Sequence, residues 1–75
     1  MNYSYDDLVD DLILGQEVEF RYKSDKYSIS VNEKGWYLTR YGFEKYESFN
    51  DIWDLLENAR IDSMSLRSIW DKVIF

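Results

Sequence analysis

The chain contains no cysteine, no histidine and no proline, and it has only 3 glycines in 75 residues. Without cysteine it has no disulfide framework, no thiolate metal site and no cysteine nucleophile. Without histidine it lacks the usual general base and the commonest metal ligand. No apolar run approaches the ~20 residues that span a bilayer, and the first residues lack the basic and apolar parts of a signal peptide. These absences predict a cytoplasmic protein with no cofactor and no membrane association.

Aromatic residues are abundant instead, at 19% of the chain. The length predicts a single domain over residues 1–75. A domain of this size buries only about 60% of the surface of its unfolded chain, so its core must be dense. Each aromatic ring buries roughly 150–250 Å². We therefore expect most of the rings to pack in the core.

The first segment has the pattern of a helix over residues 5–14. Ser4 and Asp7 have the spacing of a capping box, and Gly15 fits the position that ends a helix. The apolar positions recur at helical spacing on one face. They are Tyr5, Leu8, Val9, Leu12 and Ile13.

From Gln16 the period changes to two, which predicts strands. Val18, Phe20 and Tyr22 alternate with charged residues, and a second alternating run covers residues 27–31. Residues 32–35 predict a hairpin loop with Gly35 in a left-handed conformation. A third strand follows at residues 36–41, whereas residues 43–49 fit either a fourth strand or a loop.

The last third of the chain predicts two helices. The first covers residues 51–60 with Asn50 or Ser48 as its N-cap, and residues 61–65 form a connector. Ser65 caps the second helix, in which Leu66, Ile69, Trp70 and Val73 share a face. The fold class is therefore α+β: an N-terminal helix, an antiparallel meander of three or four strands, and two C-terminal helices.

Negative charge is concentrated at the start of the chain. Lys and Arg number 9 against 15 Asp and Glu, which gives a net charge of −6. Residues 1–20 contain six of these acids and no base, so residues 21–75 sum to zero. Such an acidic chain is poorly suited to contact nucleic acid directly, because phosphate contacts need clustered Lys and Arg.

Four aspartates of the first helix are arranged against the preferences of helices. Asp6–Asp10 and Asp7–Asp11 are like-charge pairs four residues apart, and each costs roughly 0.2–0.5 kcal/mol. Asp10 and Asp11 also lie toward the C-terminal end of the helix, which is the negative end of its dipole. Three hypotheses remain open: a solvated face, a docking surface for a basic partner, or a Mg²⁺ or Ca²⁺ site.

The docking hypothesis has a geometric argument. Residues four apart on a helix rise about 6 Å, within a factor of two of the ~3.4 Å phosphate spacing along one DNA strand. Glu17 and Glu19 would continue the negative surface on the adjoining strand. A protein that binds DNA through Lys and Arg could be occupied by such a surface.

The outer face of the sheet is a second candidate surface. If Trp36 and Leu38 point into the core, then Tyr37 and Tyr41 point outward, and exposed tyrosines are frequent interface anchors. The alternative is that the final helix or residues 43–49 cover these tyrosines.

No motif predicts catalysis. The glycine spacing matches neither a phosphate-binding loop nor a dinucleotide fingerprint, and no nucleophile–histidine pair is possible. We expect a non-enzymatic protein with no catalytic residues. A metal-dependent hydrolase is the third hypothesis, after the two binding surfaces.

Several segments together resemble a known group of proteins. They are Asp-Leu-Val-Asp-Asp-Leu, Gly-Gln-Glu-Val-Glu-Phe-Arg-Tyr, Tyr-Ser-Ile, Gly-Trp-Tyr-Leu, Phe-Asn-Asp-Ile and Leu-Leu-Glu-Asn-Ala. In layout the chain resembles small acidic proteins of Gram-positive bacteria, their phages and mobile elements. Some of these are anti-CRISPR inhibitors that occupy the DNA-binding surface of a CRISPR effector nuclease. The resemblance assigns no functional residue by position.

The sequence thus favours an acidic, anti-CRISPR-like inhibitor, a DNA mimic that occupies a basic nucleic-acid-binding surface, for example on a nuclease. The alternative is a regulatory interaction module that uses the tyrosines of its sheet face. Either could be a monomer or a homodimer. The predicted partner-binding residues are Asp6, Asp7, Asp10, Asp11, Glu17, Glu19, Tyr37 and Tyr41.

Overall fold

The computed structural model describes residues 3–43 and 46–74. It has the predicted α+β architecture, with an N-terminal helix, an antiparallel meander and C-terminal helices. The elements in chain order are α1 (Tyr5–Ile13), β1 (Val18–Tyr22), β2 (Asp25–Asn32), β3 (Gly35–Arg40), β4 (Tyr46–Phe49), α2 (Ile52–Asn58), β5 (Arg60–Ile61), β6 (Met64–Ser65), α3 (Leu66–Ile69) and a 3₁₀ turn (Trp70–Lys72).

Helix α1 begins and ends as its sequence predicts. The Ser4 hydroxyl accepts a hydrogen bond from the Asp7 backbone at 3.0 Å, and the Ser4 backbone donates to the Asp7 carboxylate at 3.0 Å, which completes the capping box. Leu14 is the C-cap, and Gly15 has a φ of +80°. The chain can therefore leave the helix at Gly15 and enter β1 three residues later, at Val18.

The four strands of the main sheet are neighbours in chain order, and every pairing is antiparallel. The fourth strand is β4, which answers the ambiguity over residues 43–49, although residues 44 and 45 lie outside the described ranges. The β2–β3 turn occupies residues 33 and 34, and the Asn32 side chain accepts a hydrogen bond from the Lys34 backbone at 2.7 Å. Gly35 has the predicted positive φ, at +142°, but it is already the first residue of β3.

One face of the sheet forms the core with the helices. Side chains alternate along the strands between buried and more exposed positions, as in the pattern of β1. The buried alternates join the buried residues of α1, α2 and α3 in one cluster. Phe20 and Trp70 meet edge to face at its centre, with ring centroids 5.1 Å apart. The other face carries the alternate side chains, among them Glu19, Lys26 and Tyr37.

The last third differs from prediction in three details. Asp51 rather than Asn50 or Ser48 is the N-cap of α2, because its carboxylate accepts from the Asp54 backbone at 2.8 Å. Helix α2 ends at Asn58, and the expected connector is a small hairpin, β5–β6. Its turn residues, Asp62 and Ser63, have positive φ values of 53° and 66°. Ser65 caps α3 as predicted.

Candidate functional site

Two of the four aspartates of α1 have internal roles. Asp7 is the acidic member of the capping box. Asp11 is half-buried and accepts a hydrogen bond from the Tyr3 hydroxyl, so it does not project fully into solvent as expected. Burial and this bond together raise the pKa of Tyr3. The Tyr3 carbonyl in turn accepts from the Trp70 indole at 3.1 Å, which ties the start of the helix to the core.

The other two aspartates and Glu17 are exposed. Within residues 3–43 and 46–74, no hydrogen bond or ion pair reaches the carboxylates of Asp6, Asp10 or Glu17. The ion pairs present in these ranges join Lys23 to Asp62, Lys26 to Glu19 and Arg40 to Asp25. The charges of Asp6, Asp10 and Glu17 are therefore available to a partner at no cost in internal bonds.

Two large apolar side chains accompany these charges. Ile13 was predicted on the buried stripe of α1, but it is 57% exposed, and Leu14 is 73% exposed. The helix ends at Ile13, so neither side chain is covered by a following turn. Both lie three or four residues after Asp10 and thus on its side of the helix. We call Asp6, Asp10, Ile13, Leu14 and Glu17 the α1 surface.

Glu19 and Tyr41 bind each other across the outer face of the sheet. The Tyr41 hydroxyl donates to the Glu19 carboxylate at 2.6 Å. Lys26 lies 3.4 Å from the same carboxylate and 4.8 Å from the centre of the Tyr41 ring. The Tyr41 bond, aided by Lys26, lowers the pKa of Glu19, and the same bond raises the pKa of Tyr41. The negative charge of Glu19 is therefore balanced by Lys26, and the Tyr41 side chain lies along the sheet rather than projecting from it.

Tyr37 is the other predicted anchor. It is half-buried, and its ring packs edge to face against Tyr46 of β4 with centroids 5.4 Å apart. Tyr46 is 63% exposed. The outer face thus offers a pair of tyrosine rings beside β4, of which the sequence analysis singled out only one.

A cleft of about 360 Å³ lies between the main sheet and the β5–β6 hairpin. Its lining includes Leu38, Arg40 and Arg60 together with Glu47 and Asp62, so its charges balance. Arg40 is already bound to an aspartate and stacked 3.9 Å from the centre of an aromatic ring. Within the described ranges, no group of three acidic side chains is placed to hold a metal ion.

The structure thus divides the predicted site residues into separate groups. Asp6, Asp10 and Glu17 are exposed on the α1 surface, whereas Asp7, Asp11, Glu19 and Tyr41 are held by internal bonds. The sequence did not predict the exposure of several apolar residues: Ile13, Leu14, Phe43, Tyr46 and Trp53. Only the two at the end of α1 had a signal in the sequence, because they stand directly before a helix-ending glycine.

None of the helices in the described ranges is both long and apolar enough to cross a membrane. Comparison of the chain with protein-family models, curated proteins and solved structures gives no match.

Proposed function

We propose that this chain is a non-enzymatic, protein-binding inhibitor that docks its α1 surface on a basic nucleic-acid-binding surface. The partner is of the class that anti-CRISPR proteins target, a cytoplasmic nuclease that holds DNA or RNA through Lys and Arg. The observation that carries the proposal is that Asp6, Asp10 and Glu17 are exposed and unpaired within the described residues.

The energetics of α1 support a role for these charges outside the fold. Asp6 and Asp10 are a like-charge pair that costs the helix roughly 0.2–0.5 kcal/mol. Asp10 also lies in the half of the helix where the dipole disfavours an acid. A basic partner surface would convert this repulsion into attraction and speed association.

The apolar part of the α1 surface supports a protein partner. Ile13 and Leu14 are adjacent and more than half exposed. Apolar side chains rimmed by charge are typical of protein interfaces, in which a desolvated centre supplies affinity and the polar rim supplies orientation. If the α1 surface only imitated the phosphates of a nucleic acid, the carboxylates would suffice and the exposed apolar side chains would have no role.

A charge-matched pair of variants tests the proposal. The triple variant D6N/D10N/E17Q removes the free carboxylates of the α1 surface. The control E33Q/D62N/D71N removes three exposed carboxylates elsewhere, so both variants have a net charge of −3, that is −6 + 3. Each is immobilised and exposed to a Gram-positive lysate supplemented with a guide-loaded CRISPR nuclease, at low and moderate salt.

We expect the wild type and the control to retain a nucleic-acid-binding protein that competing DNA displaces, and the triple variant to lose it. Retention by both variants would reject the proposal, because the carboxylates of the α1 surface would then be dispensable. Loss from both variants alike would also reject it, because net charge rather than the α1 surface would then explain binding. A second assay adds the chain to the captured protein and measures DNA binding, which should fall only with the wild type and the control.

The pair of tyrosines on the outer face favours a second candidate function, a regulatory interaction module that binds another protein or a second copy. Tyr46 is 63% exposed and rests on Tyr37. Such binding would depend weakly on salt and would be lost in Tyr46→Ala while surviving in D6N/D10N/E17Q. A mass that rises with concentration would identify the second copy as the partner.

A further inference from the structure

We infer that the free edge of β4 is a second binding site, which takes up an extended lysine- or arginine-rich segment of a protein as a fifth strand. Strands β1 and β4 are the two edges of the sheet, and α1 packs against the β1 side. The inference therefore does not rest on the α1 surface or on the proposed function.

The two edges of the sheet differ in their backbone pairing. On β1, the Arg21 backbone donates to the Ile74 carbonyl and accepts from the Ile74 amide, both at 2.8 Å, so Ile74 covers that edge at Arg21. Strand β4 pairs with β3 on one side, and in residues 3–43 and 46–74 no strand pairs with its other side. Strand addition is thus possible at β4.

The register shows which backbone groups face outward. The Phe49 carbonyl oxygen lies on the β3 side, where a Cβ added to Gly35 would meet it at 2.5 Å. Backbone groups alternate in direction along a strand, so those of Glu47 also face β3, and those of Tyr46 and Ser48 face the open edge. An added strand would find the N–H and C=O groups of these two residues.

Strand β4 has only its short length and one charged side chain as protection against pairing with a further strand. Natural edges are commonly guarded by lysine, proline or a charged side chain that opposes pairing. The strand reads Tyr-Glu-Ser-Phe, with neither lysine nor proline. Its one charge is Glu47, which repels an acidic strand and attracts a basic one.

Glu47 and the acids that follow it in the sequence favour a basic occupant. Residues 46–58 carry four acids and no Lys or Arg, which makes this stretch a second acidic block with a charge of −4. The acids are Glu47, Asp51, Asp54 and Glu57. Self-pairing of two copies through β4 is opposed by the net charge of −6 on each chain.

Tyr46 gives the outer side of the edge an aromatic surface. Its ring is 63% exposed and is supported by Tyr37 at 5.4 Å. Lysine or arginine side chains on that side of an added strand would pack along the ring, with their cations over its face. Side chains on the other side of the strand would lie beside Glu47.

A labelled peptide of alternating lysine and valine is the probe, and fluorescence anisotropy is the readout. Ser48→Pro removes an outward N–H and blocks strand addition, while its matched control Ser48→Ala keeps that N–H. We expect Ser48→Ala to bind as the wild type does and Ser48→Pro to bind about tenfold more weakly or worse. Glu47→Lys should also weaken binding, whereas Asp71→Lys, the same charge reversal in the exposed 3₁₀ turn, should leave it nearly unchanged.

Far-UV circular dichroism checks that Ser48→Pro still folds. If it does not, the peptide methylated at every backbone nitrogen provides the decisive comparison on the wild-type protein, and we expect it not to bind. Equal binding of the methylated peptide, equal binding to Ser48→Pro and Ser48→Ala, or no binding of the parent peptide would overturn the inference. So would a concentration-dependent mass abolished by Ser48→Pro, which would assign the edge to a second copy.

Discussion

Single side chains decide how much of the acidic surface is free. Glu19 and Glu17 are both exposed, yet only Glu19 accepts a hydrogen bond from Tyr41 and forms an ion pair with Lys26. A tyrosine 22 residues away along the chain makes this difference. The two carboxylates are alike in the sequence and differ in their availability to a partner.

Gly35 holds β4 in place by its lack of a side chain. A Cβ at this position would lie 2.5 Å from the Phe49 carbonyl oxygen, and the residue has a φ of +142°. We expect Gly35→Ala to lower the free energy of unfolding by at least ~2 kcal/mol, since backbone strain of 1–3 kcal/mol adds to a displaced strand. Urea unfolding followed by tryptophan fluorescence measures this.

Gly15→Ala is the matched control for that substitution. Gly15 has a φ of +80° with no heavy atom within 4 Å of the added Cβ, so only the backbone strain applies. We expect a smaller loss, about 1 kcal/mol. An equal loss in the two variants would contradict the role given to the Gly35–Phe49 contact.

At the scale of elements, α1 depends on its cap because it has only 9 residues. Ser4→Ala removes the hydroxyl that accepts from the Asp7 backbone, and we expect a loss of about 1 kcal/mol in the free energy of unfolding. Ser24→Ala, at an exposed turn position, is the control and should be neutral. A Ser4→Ala variant as stable as this control would show that tertiary packing alone holds the first turn.

The elements that sequence analysis predicted well have short-range causes. The capping box of Ser4 and Asp7 and the period-two alternation of Val18, Phe20 and Tyr22 act within a few residues. The β5–β6 hairpin was missed because Asp62 and Ser63 adopt positive φ values without glycine. Nothing in the local composition marks that conformation.

The candidate site was only partly predictable because it depends on contacts between residues that are distant in the sequence. The run of acids identified the charge of α1, but the hydrogen bonds to Asp11 and Glu19 come from side chains 8 and 22 residues away. The charge count over residues 21–75 also concealed the acidic block at residues 46–58, since Lys and Arg elsewhere in that range cancel it. Only the register of β3 and β4 places Glu47 of that block at an open edge.

At the scale of the whole molecule, three carboxyl groups among the described residues link stability to pH. Hydrogen bonds from Tyr41, Asn50 and Lys23, respectively, are the largest causes that lower the pKa values of Glu19, Asp54 and Asp62. A carboxyl whose pKa falls on folding contributes stability above its unfolded pKa and loses it as the pH drops through the folded pKa.

We therefore expect the free energy of unfolding to decline below the ordinary pKa values of these groups, 4.5 for glutamate and 3.8 for aspartate. Urea titrations at a series of pH values measure the decline. Lys23→Met removes the partner of Asp62 and should make it shallower. A decline of the same steepness in this variant would assign acid sensitivity to other groups.

The contact between Tyr3 and Trp70 joins residues 67 positions apart. Trp70 also packs its ring against Phe20 in the centre of the core. The first helix and first strand therefore lack a central packing partner until Trp70 has been synthesised. During synthesis these early segments leave the ribosome before Trp70 can stabilise them, so we expect this domain to acquire its structure only after Trp70 has emerged.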